Sequence, residues 1–303
     1  MKSEVFVEQE IKAGCRAHYN QGVWWQEHVP GFCKPLLPLH SIKLGSAAPL
    51  YSRSLIGYEH LTSVNEFADK RITYFVIREP ALRSFCFERL IYEKRKAVAK
   101  AKRSNLVVAR LTDLAPLWND MREIAISMAE RTGYGKPADY YRNHFPAWRQ
   151  SISREFFKPQ REWWGVFKGN RLGAYMYTYL IDDTMHLVNT KVHSEFMSDR
   201  ASDYLYFTVL EYCGNLPECK LVNTGHSSGP SVDRFKESLG FERIEFGDFY
   251  SCRVPVRFAL RCVQSVHRYL KHGKVKSNLE NSSHLFAKLY RRALGMSKRV
   301  VLK

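Results

Sequence analysis

The sequence predicts a mixed α/β chain of the α+β kind, a mostly antiparallel central sheet flanked by helices. Three observations carry this. After Asn105 the hydrophobic pattern switches repeatedly between strand-like and helix-like periods, about 2 and about 3.6 residues. Between Glu162 and His193 three β-rich runs follow one another, separated only by Gly169-Asn170 and Asp182-Asp183, both suited to hairpin turns. The 303 residues are 45% hydrophobic and 14% aromatic, enough for a large core and too apolar for a disordered polybasic chain.

Taken in order, residues 20 to 60 read as irregular, with Pro30, Pro35, Pro38 and Pro49 among the aromatics Trp24, Trp25, Phe32, Tyr51 and Tyr58. Arg71 to Ile77 reads as a strand, and Ala81 to Arg103 as one long helix whose last run, Glu93 to Arg103, holds six basic residues and one acid. That run is either a phosphate-binding surface or a solvated linker helix. Leu106 to Leu111 is β-rich. Asp113 is placed to N-cap a helix in which Leu114, Leu117, Met121, Ile124, Ala125 and Met128 share a face, stopped near Gly133 and Gly135. Tyr141, Phe145, Trp148, Ile152 and Phe156 make a second helix that Pro146 must kink or split.

The three strands Glu162 to Lys168, Arg171 to Ile181 and Thr184 to His193 then form an antiparallel meander. Asp203 to Cys213 is apolar nearly all round and therefore a buried helix. Leu221 to Thr224 is a short strand. Pro230 opens a helix with Val232, Phe235 and Leu239 inside, Gly240 ends it, and Phe241 to Cys252 is further strand. From 106 to 252 the order is β, α, α, β, β, β, α, β, α, β. Composition divides the chain into an N-terminal lobe ending in the basic helix (1–105), a central domain (106–255) and a basic tail (256–303).

Charge and cysteine use narrow the function. The net charge is +17, yet from Arg253 to Lys303 there are thirteen Lys or Arg against Glu280 alone, so the tail holds most of it. Such a tail attracts nucleic-acid phosphates or anionic lipid headgroups, or is simply solvated. Val256, Leu260, Val263, Val266 and Leu270, then Leu285, Phe286, Leu289, Tyr290 and Leu294, suggest two amphipathic helices within it. Seven cysteines without a C-x-x-C pair argue against a disulfide framework or zinc ribbon and for a reducing compartment. The acidic start, with Glu4, Glu8 and Glu10, is unlike a signal peptide, and no apolar run reaches spanning length; the expected location is cytoplasmic, peripheral on a membrane at most. The local signatures of P-loop, Rossmann, zinc-protease and serine-hydrolase chemistry are missing, and the histidines show no metal-ligand clustering.

The element order, closed by Phe235-Lys236-Glu237-Ser238-Leu239-Gly240-Phe241, resembles the GNAT acyltransferase superfamily, in which a helix ending in a similar Gly-Phe follows the fifth strand. The resemblance spans about half the chain. The Phe-Lys pair, together with Gly22-Val23-Trp24-Trp25 and Pro30-Gly31-Phe32-Cys33-Lys34-Pro35, is most similar to Fem-type peptidyltransferases and related GNAT proteins of bacterial envelope and exopolysaccharide clusters. The resemblance implies a GNAT-like sheet with a reduced N-terminal lobe. It also implies transfer of an acyl or aminoacyl group to an amine or hydroxyl of a sugar, lipid or peptide precursor. Where acetyl-CoA users carry a glycine-rich pyrophosphate loop, this chain reads Ser194-Glu195-Phe196-Met197-Ser198-Asp199-Arg200-Ala201-Ser202. Glu195 and Asp199 repel a phosphate, whereas Arg200 and a helix N-terminus attract it. Two donors therefore stay open, acyl-CoA (acetyl-CoA first) and aminoacyl-tRNA. A non-catalytic GNAT-like protein that binds membrane surfaces or nucleic acid is the contrasting reading.

Acyl transfer needs a route for the acceptor proton, donors to the carbonyl oxygen and a proton for the leaving group. The resemblance puts the oxyanion-side N–H at Val192 or His193 and the donor around Val192, Ser194, Arg200, Ala201 and Ser202. His193 is a candidate base, or else a strand-end surface histidine. Lys236 stands where a late-helix Tyr is usual; it would stabilise negative charge, or be a plain helix-face cation. Glu162 and His186 are further candidate bases and Tyr250 a candidate proton donor, each with a structural alternative. Tyr175, Tyr177 and Tyr179 share one strand face, to line an acceptor pocket or to pack against a helix. Asn223 and His226 belong to a polar strand end facing the cleft expected of this fold. No metal is expected.

Overall fold

The alternating runs become strands in the computed structural model, which describes residues 1–29, 32–39, 41–42, 57–63, 70–133 and 135–252. The chain opens with helix α1 (Ser3–Lys12) and four short strands, β1 (Ala17–Asn20), β2 (Val23–Val29), β3 (Phe32–Pro35) and β4 (Gly57–Thr62). Strand β5 (Lys70–Arg78) and helices α2 (Glu79–Arg83) and α3 (Tyr92–Arg103) lead to β6 (Leu106–Arg110). Helices α4 (Trp118–Thr132), α5 (Ala138–Asn143) and α6 (Phe145–Phe156) precede the meander β7 (Glu162–Lys168), β8 (Arg171–Ile181) and β9 (Thr184–Val192). The short α7 (Ser194–Met197), α8 (Ala201–Asn215), β10 (Leu221–His226), α9 (Pro230–Ser238) and β11 (Glu242–Cys252) complete it.

The chain divides into two compact units. The first comprises Met1–Cys15 and Lys70–Gly247; the second takes described residues from Arg16 to Asp69 and the end of β11 from Asp248. In the first, the strand order is β11-β5-β10-β9-β8-β7-β6. There β5 with β10, β9 with β8, β8 with β7 and β7 with β6 pair antiparallel, and β9 with β10 runs parallel. One face packs on α8, where Leu205, Val209 and Leu210 are fully buried with Ala174, Met176 and Val222, each large aliphatic contributing about 1.5–3 kcal/mol. The other face packs on α4 to α6, through Met121, Ile124, Trp148, Trp163 and Tyr175. Helix α1 is fastened to this unit as well. Phe6 stacks 5.8 Å from Tyr179, and Glu10 bonds both Lys158 (2.9 Å) and Arg161 (2.7 Å).

Two expectations need correcting. Ala81 to Arg103 is not one helix: α2 stops at Arg83, a single 3-10 turn spans Phe87–Arg89, and α3 starts at Tyr92. Ser84 Oγ donates back to the Pro80 and Ala81 carbonyls, and Phe85 and Phe87 turn inward against Phe207, so aromatic burial wins over helix continuity. Residues 20 to 60 are not irregular throughout. Gln21 and Gly22, both with positive φ, close a β1–β2 hairpin, and Val23, Trp25, Cys33, Ile42 and Tyr58 form a core of the second unit with Phe249 against it.

Smaller differences refine the rest. Asp113 caps the 3-10 turn Ala115–Leu117, its Oδ1 accepting the Ala115 N–H at 2.8 Å, and α4 begins after that turn. Pro146 splits rather than kinks, because it sits in the first turn of α6. Tyr51, Pro49, the Tyr250 side chain and the tail from 256 lie outside the described residues.

Candidate active site

The site is built where β9 and β10 part. Their parallel pairing runs through Leu221–Thr184, Val222–Met185 and Asn223–His186 and ends there. Beyond it β9 bulges: the register with β8 shifts between Tyr177–Val188 and Tyr175–Lys191, with Asn189 at φ 58°. Strand β10 turns away at Gly225, φ 78°, where its register with β5 also shifts. Asn223 is buried at the branching point. Its Oδ1 accepts the Gly225 N–H (2.9 Å) and its Nδ2 lies 3.1 Å from His186 Nδ1. The amide orientation makes His186 Nδ1 the acceptor and leaves the proton on Nε2. Burial, with the Arg161 guanidinium adding to it, pushes the His186 imidazolium down to about 3, so the ring is neutral.

On the α8 face a chain of hydroxyls crosses the opening. Thr190 Oγ1 of β9 lies 3.1 Å from Tyr206 Oη of α8, which lies 3.3 Å from Thr224 Oγ1 of β10. The Phe235 ring meets Tyr206 edge-on at 5.3 Å. At the end of β9 the His193 N–H donates to the Gly173 carbonyl (2.9 Å). Val192 is therefore a non-hydrogen-bonded position of the antiparallel ladder, and its N–H points to the edge from which β10 has diverged.

The β9–α7 turn borders an open cleft of about 510 Å³ with Ile126, Ser127, Glu130, Arg131, His193 and Ser194 in its lining. Ser194 is fixed by Ser127 (Oγ to Oγ 2.7 Å), and Arg131 reaches the Val192 carbonyl at 3.4 Å. His193 Nδ1 accepts the Glu195 N–H (3.3 Å), which leaves Nε2 as the ring's donor. The two acids that stand against a phosphate are both paired: Glu195 with Arg171 (2.6 Å) and Asp199 with Lys168 (2.8 Å). The bond from Lys168 holds Asp199 below its usual range. Arg200, at φ 66°, immediately precedes α8 as its cap residue and makes no side-chain cap to the first turn.

The structure thus brings Val192, His193 and Ser194 to one end of the opening, ahead of Arg200, Ala201 and Ser202 at the start of α8, and puts Asn223 at its root. Lys236, only 4% exposed, donates from Nζ to the His226 carbonyl (2.9 Å) and lies 4.8 Å from the Phe75 ring centre, which commits it to the end of β10. Burial pushes its ammonium down to about 8. The His226 ring is itself exposed, 6.1 Å from Tyr74. Glu162 stands apart, receiving the Tyr212 hydroxyl (3.0 Å) and pairing with Arg110 (3.3 Å) on the far strand β7. Tyr175 and Tyr177 share a face and stack on Trp163 at 6.1 and 4.8 Å. Sequence reasoning missed Thr190, Tyr206 and Lys191. The last had a signal, a lysine next to Val192 in a strand buried on both faces.

No protein-family model matches the chain, and no curated protein sequence matches it. Among solved structures it is similar to FemX, at TM-score 0.56 and 9% identity over 84% of this chain and 92% of that one. The C-terminal DUF2156 domain of an Agrobacterium fabrum protein assigned as a lysylphosphatidylglycerol synthetase gives TM-score 0.55 and 6% identity over 84% and 89%. L-PGS from Bacillus licheniformis gives 0.51 and 11% over 86% and 96%. The fold is GNAT-like. Among the described residues no group of three or more His, Cys, Asp or Glu is arranged to hold a metal, and no helix is long and apolar enough to cross a membrane.

Proposed function

We propose that the chain is an acyl- or aminoacyltransferase that acts on an amine or hydroxyl of an envelope or polysaccharide precursor. The observation that carries this is the divergence of β9 and β10 beyond His186 and Asn223, with a backbone N–H and a hydroxyl chain facing it, in a fold shared with FemX and L-PGS. Two of the similar structures bear the name of an enzyme that makes lysylphosphatidylglycerol or its abbreviation, which favours envelope-type acceptors.

In this reading the acyl carbonyl of the donor lies in the opening with its oxygen toward the Val192 N–H. The acceptor atom attacks the carbonyl carbon, the new bond forms as the acyl–sulfur or acyl–oxygen bond breaks, and the acceptor's proton leaves toward the open cleft. Tyr206, hydrogen-bonded between Thr190 and Thr224, supplies a proton to the leaving atom and recovers it from solvent. His193 offers an N–H to the acceptor rather than serving as its base while Glu195 occupies Nδ1. The uncapped start of α8, with Arg200 beside it and both nearby acids paired, suits a donor phosphate; that favours acyl-CoA, with aminoacyl-tRNA the second donor. The binding-only reading rests on α3, which exposes Lys96, Lys100, Lys102 and Arg103.

Titration of the full chain with acetyl-CoA, longer acyl-CoAs and aminoacyl-tRNA, read by calorimetry and thermal shift in moderate salt, tests this. Stoichiometric acyl-CoA binding that Arg200→Ala weakens and Lys96→Ala does not supports the CoA reading, and tRNA binding with aminoacyl loss supports the other donor. Binding of neither overturns the transferase.

A further inference from the structure

On the face of the meander covered by α4 to α6, three hydrogen-bond donors have no acceptor among the described residues. Tyr175 of β8 is fully buried and its hydroxyl has no partner among the described residues; the indole N–H of Trp163 on β7 is in the same position. Lys191 of β9 is the register partner of Tyr175. It is half-buried, and among the described residues it enters no ion pair or hydrogen bond; its Nζ lies 5.3 Å from the ring centre of buried Tyr141. Desolvation holds its ammonium down to about 8.

Folded chains rarely leave such groups unsatisfied, and a Phe at 175 with a Met at 191 would pack the same face at no polar cost. The deficits are of one kind. A hydroxyl and an ammonium that both lack an acceptor call for a ligand that brings anionic oxygen. The pair stands two residues past the bulge at Asn189 and next to Val192, on the opposite face of β9 from the hydroxyl chain. Tyr141 of α5 touches the Lys191 ammonium and follows the loop where Gly133 and Gly135 take positive φ.

We propose that Lys191 and Tyr175 form a subsite for the anionic group, a carboxylate or a phosphate, of the acceptor substrate. Lys191 is its solvent-facing member and Tyr175 the inner one. The word acceptor rests on the transferase reading; the anion site does not.

The test is protection of Lys191 from a limiting amine-reactive succinimidyl ester, read by peptide mass spectrometry on the full chain. Sodium phosphate, sodium acetate and sodium chloride are compared at matched ionic strength. Saturable protection of Lys191 by phosphate or by acetate, at least about fivefold, with exposed Lys96 and Lys102 unchanged, is the expected result, and whichever anion protects identifies the acceptor group. Tyr175→Phe should raise the concentration needed about tenfold, the usual loss for a hydrogen bond to a charged group. Labelling that neither anion changes, or protection untouched by Tyr175→Phe, overturns the subsite. Because Tyr175→Phe only removes an oxygen, its folding is checked by a thermal transition no lower than that of the native protein. Acyl-donor titration on the same preparation separates the two ideas: protection without donor binding leaves the subsite and removes the transferase, and donor binding without protection does the reverse.

Discussion

Asn223 uses both ends of its amide at the point where β9 and β10 separate, one on the Gly225 turn and one on His186. The energetic consequence lies with His186. Its folded value of about 3 is far below the ordinary value of 6.5, so as pH falls below that ordinary value the unfolded chain takes up the proton first. The contribution of the neutral ring is complete above pH ~6.5 and is lost progressively toward pH ~3, at up to about 1.4 kcal/mol per pH unit. Urea unfolding at pH 7.5, 6 and 5 should show the native protein losing roughly 2 kcal/mol more than His186→Gln over that interval. Equal losses would mean that His186 is not buried as a neutral ring.

Gly173 and Phe196 decide where α7 sits. A Cβ on Gly173 would overlap the buried Phe196 ring, so the glycine is needed for close approach rather than for its dihedral freedom. Gly173→Ala should push α7 and His193 outward and destabilise by about 1–3 kcal/mol, and adding Phe196→Ala should relieve the clash, leaving a non-additive pair in a double-mutant cycle. Arg83 is the corresponding device at the other end of α8. Its guanidinium donates to the carbonyls of Gly214, Leu216, Pro217 and Cys219 at 2.5 to 2.9 Å, tying the end of α8 to the turn that follows it. Arg83→Ala should cost about 3 kcal/mol in urea unfolding, and Arg83→Lys should recover little, because an ammonium cannot fork to four carbonyls. A loss below about 1 kcal/mol would show that water replaces the clamp.

At the scale of the whole molecule the charge is the most accessible property. Thirteen Lys or Arg lie between Arg253 and Lys303, and each near an anionic surface is worth roughly 1 kcal/mol. The full chain should therefore sediment with phosphatidylglycerol-containing vesicles and not with neutral ones, with binding lost as salt is raised and on removal of residues 256–303. Equal binding to both vesicle types would exclude an electrostatic origin. Much of the first unit was legible beforehand: Gly169-Asn170 and Asp182-Asp183 fixed the meander, and the all-round apolar character of Asp203 to Cys213 gave the buried α8. The candidate site was legible only in part. Asp199 and Glu195 look repulsive in sequence and are neutralised in space by Lys168 and Arg171, residues about thirty and twenty-four positions away.

The sequence by itself determined the strands and main helices from Leu106 to Cys252 and their order, apart from the short α7 and the break at Pro146, because period, hairpin pairs and helix stops are local and each follows from a few neighbouring residues. Only the tertiary structure decided that β5 lies between β10 and β11, that the helix expected across Ser84 breaks to pack Phe85 and Phe87 against Phe207, and that Lys191 pairs in register with Tyr175, whose hydroxyl has no acceptor among the described residues. Those outcomes depend on contacts between distant segments, where burial and hydrogen-bond satisfaction outweigh local propensity by amounts no window of the sequence contains.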